Sequence, residues 1–161
     1  MLIATGACRQ ANADLIRSAE TYVRVSTAVA DGFINSWDEK FRSVLIRPES
    51  YINQHIDPEW QPLIQTPPFP EHTSGHSTIS SAAATVLTLM YGDNVNFTDS
   101  SEVEFGFPTR SFTSYRAAAD EVGMSRMYGG IHYRHGNVEG LKSGAKIGEY
   151  VMSKLKTKVK S

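Results

Sequence analysis

Five side chains in this sequence can hold an anion or move a proton, and they fall into three short groups. Lys40 and Arg47 form the first. On a continuous helix their separation of seven residues is about two turns, roughly 10 Å along one face. Both could then converge on one small anion, Arg47 as a bidentate fork and Lys40 as a point charge. The second group is Ser74-Gly75-His76. Ser74 or Ser77 can cap a helix there, leaving Gly75 and His76 at its positive end, where free backbone N–H groups cradle anions. The third is Arg126 and His132, six apart. An unbroken helix would point them to different sides, but Gly129-Gly130 lets the chain turn sharply and bring both into one pocket. Three permanent cations and a set of backbone donors suit a tetrahedral oxyanion passing through a five-coordinate state. Two histidines then divide the chemistry: one attacks or bonds to the central atom, the other protonates the leaving oxygen.

Other readings of these residues are weaker. His72 and His76, or His132 and His135, have spacings that can bind zinc, but His72 lies before the helix and no HExxH pattern is present. Ser77 and Ser80 lie near a histidine without the strand-turn-helix of a G-x-S-x-G nucleophile. Cys8, the single cysteine, excludes an internal disulfide and reads as a small residue in a frayed terminus.

The elements that must position these groups read as helices. Residues 13–43 predict one long helix or two collinear ones, with Leu15, Ala19, Tyr22, Ser26, Ala30, Phe33, Trp37 and Phe41 as the packed stripe. Pro48 forces Arg47 out of helical geometry and closes this element. Residues 48–73 carry six prolines, too dense for regular structure, and read as a loop walling a pocket. A central helix follows to about Tyr91, with Ile79, Ala82, Ala83, Val86, Leu87 and Met90 at helical spacing. Residues 92–108 read as a polar loop. Ser111 or Thr113 can cap a helix over Tyr115–Met127, and a last helix from Asn137 shows Val138, Leu141, Ala145, Gly148, Met152 and Leu155 as its seam. Lys154, Lys156, Lys158 and Lys160 read as a solvated helix end. The expected class is all-α, in one domain over residues 1–161.

The order Lys-x6-Arg-Pro (Lys40 to Pro48), Ser-Gly-His (Ser74 to His76) and Ser-Arg-x5-His (Ser125 to His132) resembles the three-part signature of the type 2 phosphatidic acid phosphatase and vanadium-dependent haloperoxidase superfamily. The likeness spans residues 37–140. It implies that Lys40, Arg47, Ser74, Gly75 and Arg126 bind phosphate or vanadate. It further implies that His132 is the nucleophile or the vanadium ligand and His76 the general acid/base. Trp37 and Phe69 are similar to pocket residues of the fungal vanadium chloroperoxidase branch, and PPFPEHTSGH as a whole resembles the haloperoxidases rather than the membrane phosphatases. The activity implied is halide oxidation by hydrogen peroxide with vanadate as cofactor. The alternatives are hydrolysis of phosphate monoesters through a phosphohistidine, with no cofactor, and a non-catalytic anion-binding helical module. Two positions depart from the signature. Thr73 stands where the family has Pro, and Gly136 where it has an Asp four residues after the second histidine. The role of that Asp in orienting the histidine then falls to Glu139, Asn137 or a backbone carbonyl. The resemblance also implies helices ahead of the first group, so the chain reads as a full bundle or as the C-terminal half of one, completed by missing N-terminal helices or by a second copy.

Composition narrows the classes. With 161 residues, 40% hydrophobic and 20% charged, the chain can bury one real core. Its net charge of −1 argues against a general nucleic-acid surface. No apolar run approaches the roughly 20 residues of a membrane helix, and Met1–Ala7 lacks the basic start of a signal peptide, so a soluble protein acting on small molecules is expected.

Overall fold

The computed structural model describes residues 1–157; Lys158 and Lys160 of the basic tail lie outside the described residues. Six α-helices carry the fold: α1 Leu2–Gln10, α2 Leu15–Ser43, α3 Pro48–His55, α4 Gly75–Tyr91, α5 Tyr115–Tyr128 and α6 Arg134–Lys154. The segment between α4 and α5 contains two three-residue strands, β1 Phe97–Asp99 and β2 Arg110–Phe112, paired antiparallel with Phe97 opposite Phe112. The all-α expectation holds. No helix among the described residues is long and apolar enough to cross a membrane.

Several local expectations change. The proline-dense stretch opens with a helix, α3, because Pro48 sits at its first position, where the missing N–H costs nothing and the fixed φ is already helical. Ser114, not Ser111 or Thr113, caps α5, accepting from the Ala117 N–H at 3.0 Å. Cys8 is buried in α1, its Sγ 3.5 Å from the Tyr91 hydroxyl, rather than in a frayed end. The packed face of α2 is rotated from the expected stripe. Leu15, Phe33 and Phe41 are 85%, 43% and 62% exposed, while Thr21, Val25, Ala28, Gly32, Ser36 and Lys40 face inward. Small and polar residues win that face because α4, which they meet, is itself lined by small residues.

Nearly all of α4 is buried, and the neighbours on its two sides explain why. One side gives Ala82, Val86, Leu87 and Met90 to a core shared with Ala4, Ala7, Val25, Ala28, Tyr115, Ala119 and Val151. The other side, with Ser74, Ser77, Thr78, Ser81 and Thr85, lies against α6. There the contact is made by Gly136, Gly140, Gly144 and Gly148 at every fourth position; of the expected Val138–Leu155 seam, Gly148 lies in this contact, Leu141, Met152 and Leu155 pack against the core beside it, and Val138 is exposed. At Gly144 an added Cβ would lie 2.1 Å from the Thr78 carbonyl oxygen and 2.9 Å from the Ala82 nitrogen. Two backbones are thus in direct contact, an approach that only a missing side chain allows. Polar bonds fix the register: the Ser74 N–H donates to the Gly136 carbonyl at 3.0 Å and the Ser81 hydroxyl to the Leu141 carbonyl at 2.7 Å. The N-termini of α4 and α6 are thereby locked side by side.

Substituting Gly144→Ala should cost about 1–3 kcal/mol or more, since the carbonyl it meets cannot rotate away. Gly6→Ala, in α1 with nothing within 4 Å of the new methyl, should instead gain up to about 1 kcal/mol. Urea unfolding of both variants measures the two effects, and equal stabilities would remove the close-contact seam.

Candidate active site

Lys40 ends the inward face of α2 and is fully buried. Its ammonium donates to three carbonyl oxygens, those of Pro70 and Glu71 at 2.9 Å each and of Thr73 at 2.6 Å. An ammonium has three protons, so all are engaged. Desolvation first, and the nearby Arg47 charge second, bring its pKa down to about 8, with Glu71 opposing. Arg47 is not on α2. The helix stops at Ser43, and Arg47 is the extended residue that caps α3, as a residue before proline should be. Its guanidinium turns back to the same loop, donating from Nε to the Phe69 carbonyl at 2.9 Å and from Nη2 to the Pro70 carbonyl at 3.2 Å. Nη1 reaches the Ile131 carbonyl at 2.8 Å and His132 Nε2 at 3.1 Å. Lys40 and Arg47 meet through this loop and not through the helix face their spacing suggested.

Aromatic rings wall the same space. Trp37 and Phe69 pack with centroids 5.1 Å apart, and the Lys40 ammonium and Arg47 guanidinium sit 5.3 and 5.1 Å over the Phe69 ring. Trp37 also lies flat against the start of α4, where a Cβ at Gly75 would be 3.1 Å from its ring. Ser74 is the N-cap of α4, its Oγ receiving the Ser77 N–H at 3.4 Å and the Ser77 hydroxyl at 2.9 Å. The Ser77 hydroxyl has one proton and a second acceptor in Asn137 Oδ1 at 3.2 Å, so Ser74, Ser77 and Asn137 share one hydrogen-bonded chain.

Arg126 stands in the last turn of α5, and its Nε is buried with no acceptor among the described residues. After it the chain turns through Gly129 and Gly130, the latter at φ 78° in the left-handed region. The turn delivers His132, 5% exposed, to the N-terminus of α6. Burial lowers the His132 pKa, and the adjacent Arg47 lowers it further against the raising influence of Glu71. His76 is exposed at the rim. Its pKa falls to about 4, through partial desolvation first and then the charges of Arg126, His132 and Lys40, so it is within electrostatic reach of all three. His72 and His135 stack on each other, centroids 5.3 Å apart.

Nothing in the residue spacing points to Glu71. Fully buried, it places Oε1 2.6 Å from His132 Nδ1 and accepts the Tyr133 N–H at 3.2 Å. The three groups expected to replace the missing Asp are engaged elsewhere or absent from this contact. Glu139 pairs with Lys142 at 2.8 Å, Asn137 accepts from the Ser77 hydroxyl, and the partner of Nδ1 is a carboxylate, not a carbonyl. Glu71 and His132 are 61 residues apart, a distance at which spacing carries no signal. Lys40 and Arg47 both act on the buried Glu71, and the Arg126 charge acts on Arg47 and His76, so three cations set against one carboxylate leave surplus positive charge, which an anion relieves.

A family model described as the VCPO (vanadium chloroperoxidase) second helical-bundle domain matches residues 53–161. Among solved structures, a bacterial vanadium-dependent iodoperoxidase is 55% identical over 96% of this chain with a TM-score of 0.92. The holo and apo forms of a bacterial vanadium-dependent chloroperoxidase share the fold at 18% identity, over 78% and 76% of the chain, with TM-scores of 0.68 and 0.65. The chain spans 37% of the iodoperoxidase and 33% of each chloroperoxidase chain. No curated protein matches it by sequence. The chain belongs to the family of the VCPO second helical-bundle domain, within the superfamily of vanadium haloperoxidases and type 2 phosphatidic acid phosphatases.

Proposed function

We propose that this chain carries the oxyanion site of a vanadium-dependent haloperoxidase, with vanadate as cofactor and iodide as the halide. The observation that carries the reading is the buried, acceptor-free Nε of Arg126 in a pocket of surplus positive charge. The donor set fits vanadate. Arg126 has an unused buried donor, Gly75 a backbone N–H at a helix N-terminus beside the Ser74 hydroxyl, and His132 a ring nitrogen. Vanadate, when bound, supplies the centre at which hydrogen peroxide is activated and the halide loses two electrons. Iodide is favoured because the 55%-identical relative is an iodoperoxidase.

The chain's own residues do the rest. Arg47 and Arg126 would offset the oxyanion's negative charge. Lys40, with every proton already on a carbonyl, acts mainly through its charge and by holding the Pro70–Thr73 turn in shape. His132 would hold the group through Nε2, the nitrogen now facing Arg47. His76, neutral above about pH 4, accepts a proton at the rim. Trp37 and Phe69 keep water from one wall and so strengthen each charge interaction inside. A phosphate ester would meet the same donors, with His132 as nucleophile, and the assays below separate the two reactions.

Calorimetry with vanadate should show binding to the wild type and its loss in His132→Ala; equal binding by both removes His132 from the site. Arg126→Ala should weaken binding roughly 10- to 150-fold, the worth of one hydrogen bond to a charged group. With vanadate and peroxide the protein should oxidise iodide and leave p-nitrophenyl phosphate intact. The reverse result makes it a phosphatase, and neither activity, with vanadate still bound, makes it a binding module that needs further chain.

A further inference from the structure

His132 can bond to a central atom only if Nε2 presents its lone pair to the pocket, which requires the ring proton to sit on Nδ1. The ring's neighbours dictate that tautomer. Arg47 Nη1 lies 3.1 Å from Nε2, and a guanidinium can only donate, so Nε2 must be the acceptor. On the other edge, Glu71 Oε1 lies 2.6 Å from Nδ1, and a carboxylate accepts, so Nδ1 must be the donor. The Tyr133 N–H, at 3.2 Å, holds the same carboxylate oxygen from the side.

The room for this carboxylate comes from one residue. A Cβ at Gly136 would stand 2.2 Å from Glu71 Oε1 and 2.8 Å from Oε2. Any side chain at 136 would therefore evict Glu71, and Glu71 excludes any side chain at 136. Gly136 stands in the first turn of α6, four residues after His132, which lies just ahead of that helix, so a carboxylate carried at 136 would enter the space Glu71 now fills. We propose that Glu71 and Gly136 act as one exchanged pair: Glu71 is the positioning residue that fixes the tautomer and plane of His132, supplied from the proline-rich loop, and Gly136 is the gap that admits it. This rests on the reading of His132 as the group that holds the oxyanion, and it places the orienting acid on a different element from the ring it orients. The loop that Lys40 and Arg47 shape thus also aims His132, since all three act on residues 69–73.

The test is a rescue series read by two independent signals. In ligand-free protein labelled with 15N-histidine, the wild type should show a protected, far-downfield imidazole proton on His132 Nδ1. Glu71→Ala should lose that resonance and bind vanadate about 10–100-fold more weakly. Gly136→Asp alone should also bind weakly, because the two carboxylates collide. Glu71→Ala combined with Gly136→Asp should restore both the resonance and most of the affinity, a recovery that a merely structural role for Glu71 would not produce. Glu71→Ala that folds and keeps the resonance overturns the proposal, as does a double variant no better than Glu71→Ala, whether or not that single variant folds. A wild type that shows the resonance yet binds no vanadate overturns the reading of His132 while leaving the pairing with Glu71 supported.

Discussion

Two permanent charges sit inside this small bundle, and the fold depends on how they are solvated. Burying an ammonium and a guanidinium without partners would cost several kcal/mol each. Here the loop from Phe69 to Thr73 bends so that its carbonyl oxygens face inward, and Lys40 spends all three of its donors and Arg47 two of its own on them. The cations and the loop need each other. Without the charges, the carbonyls of Phe69, Pro70 and Glu71 would lose their donors; without the loop, the charges would have to leave the interior. Glu71, in the middle of that loop, offsets part of the charge and leaves a remainder that draws anions.

The second constraint is the approach of α4 to α6. Small residues on α4 and glycines on α6 let two backbones touch, so the starts of both helices form one rigid edge. That edge carries Ser74, Gly75 and His76 on one side and His132 just ahead of the other. The anion-facing groups are therefore fixed by main chain, which moves less than side chain.

Much of this was legible in the sequence where the signal was local. The Ser74 cap, the Gly129-Gly130 turn and the central helix follow from neighbouring residues, and the order of the three charged groups was enough to place the superfamily. The inward face of α2 was misread because large apolar residues dominate its sequence. In the structure Leu15, Phe33 and Phe41 are exposed, and Gly32 and Ser36 pack instead. The glycine seam of α6 was misread for the same reason, since hydrophobicity does not register a contact made by absent side chains. Pro48 was taken as a stop when it is also a good first residue of a helix. Glu71 could not be found by spacing at all. Its relation to His132 exists only after a loop and a helix end meet, and the one trace it left was an unexplained glycine at 136.

The bond between Arg47 and His132 has a kinetic side. The imidazole lone pair is already engaged by an internal donor, so an incoming ion cannot simply dock. It must trade places with the guanidinium, and that guanidinium is anchored by three carbonyls. On the proposed reading, association at this nitrogen would be a substitution whose tempo follows the excursions of that side chain.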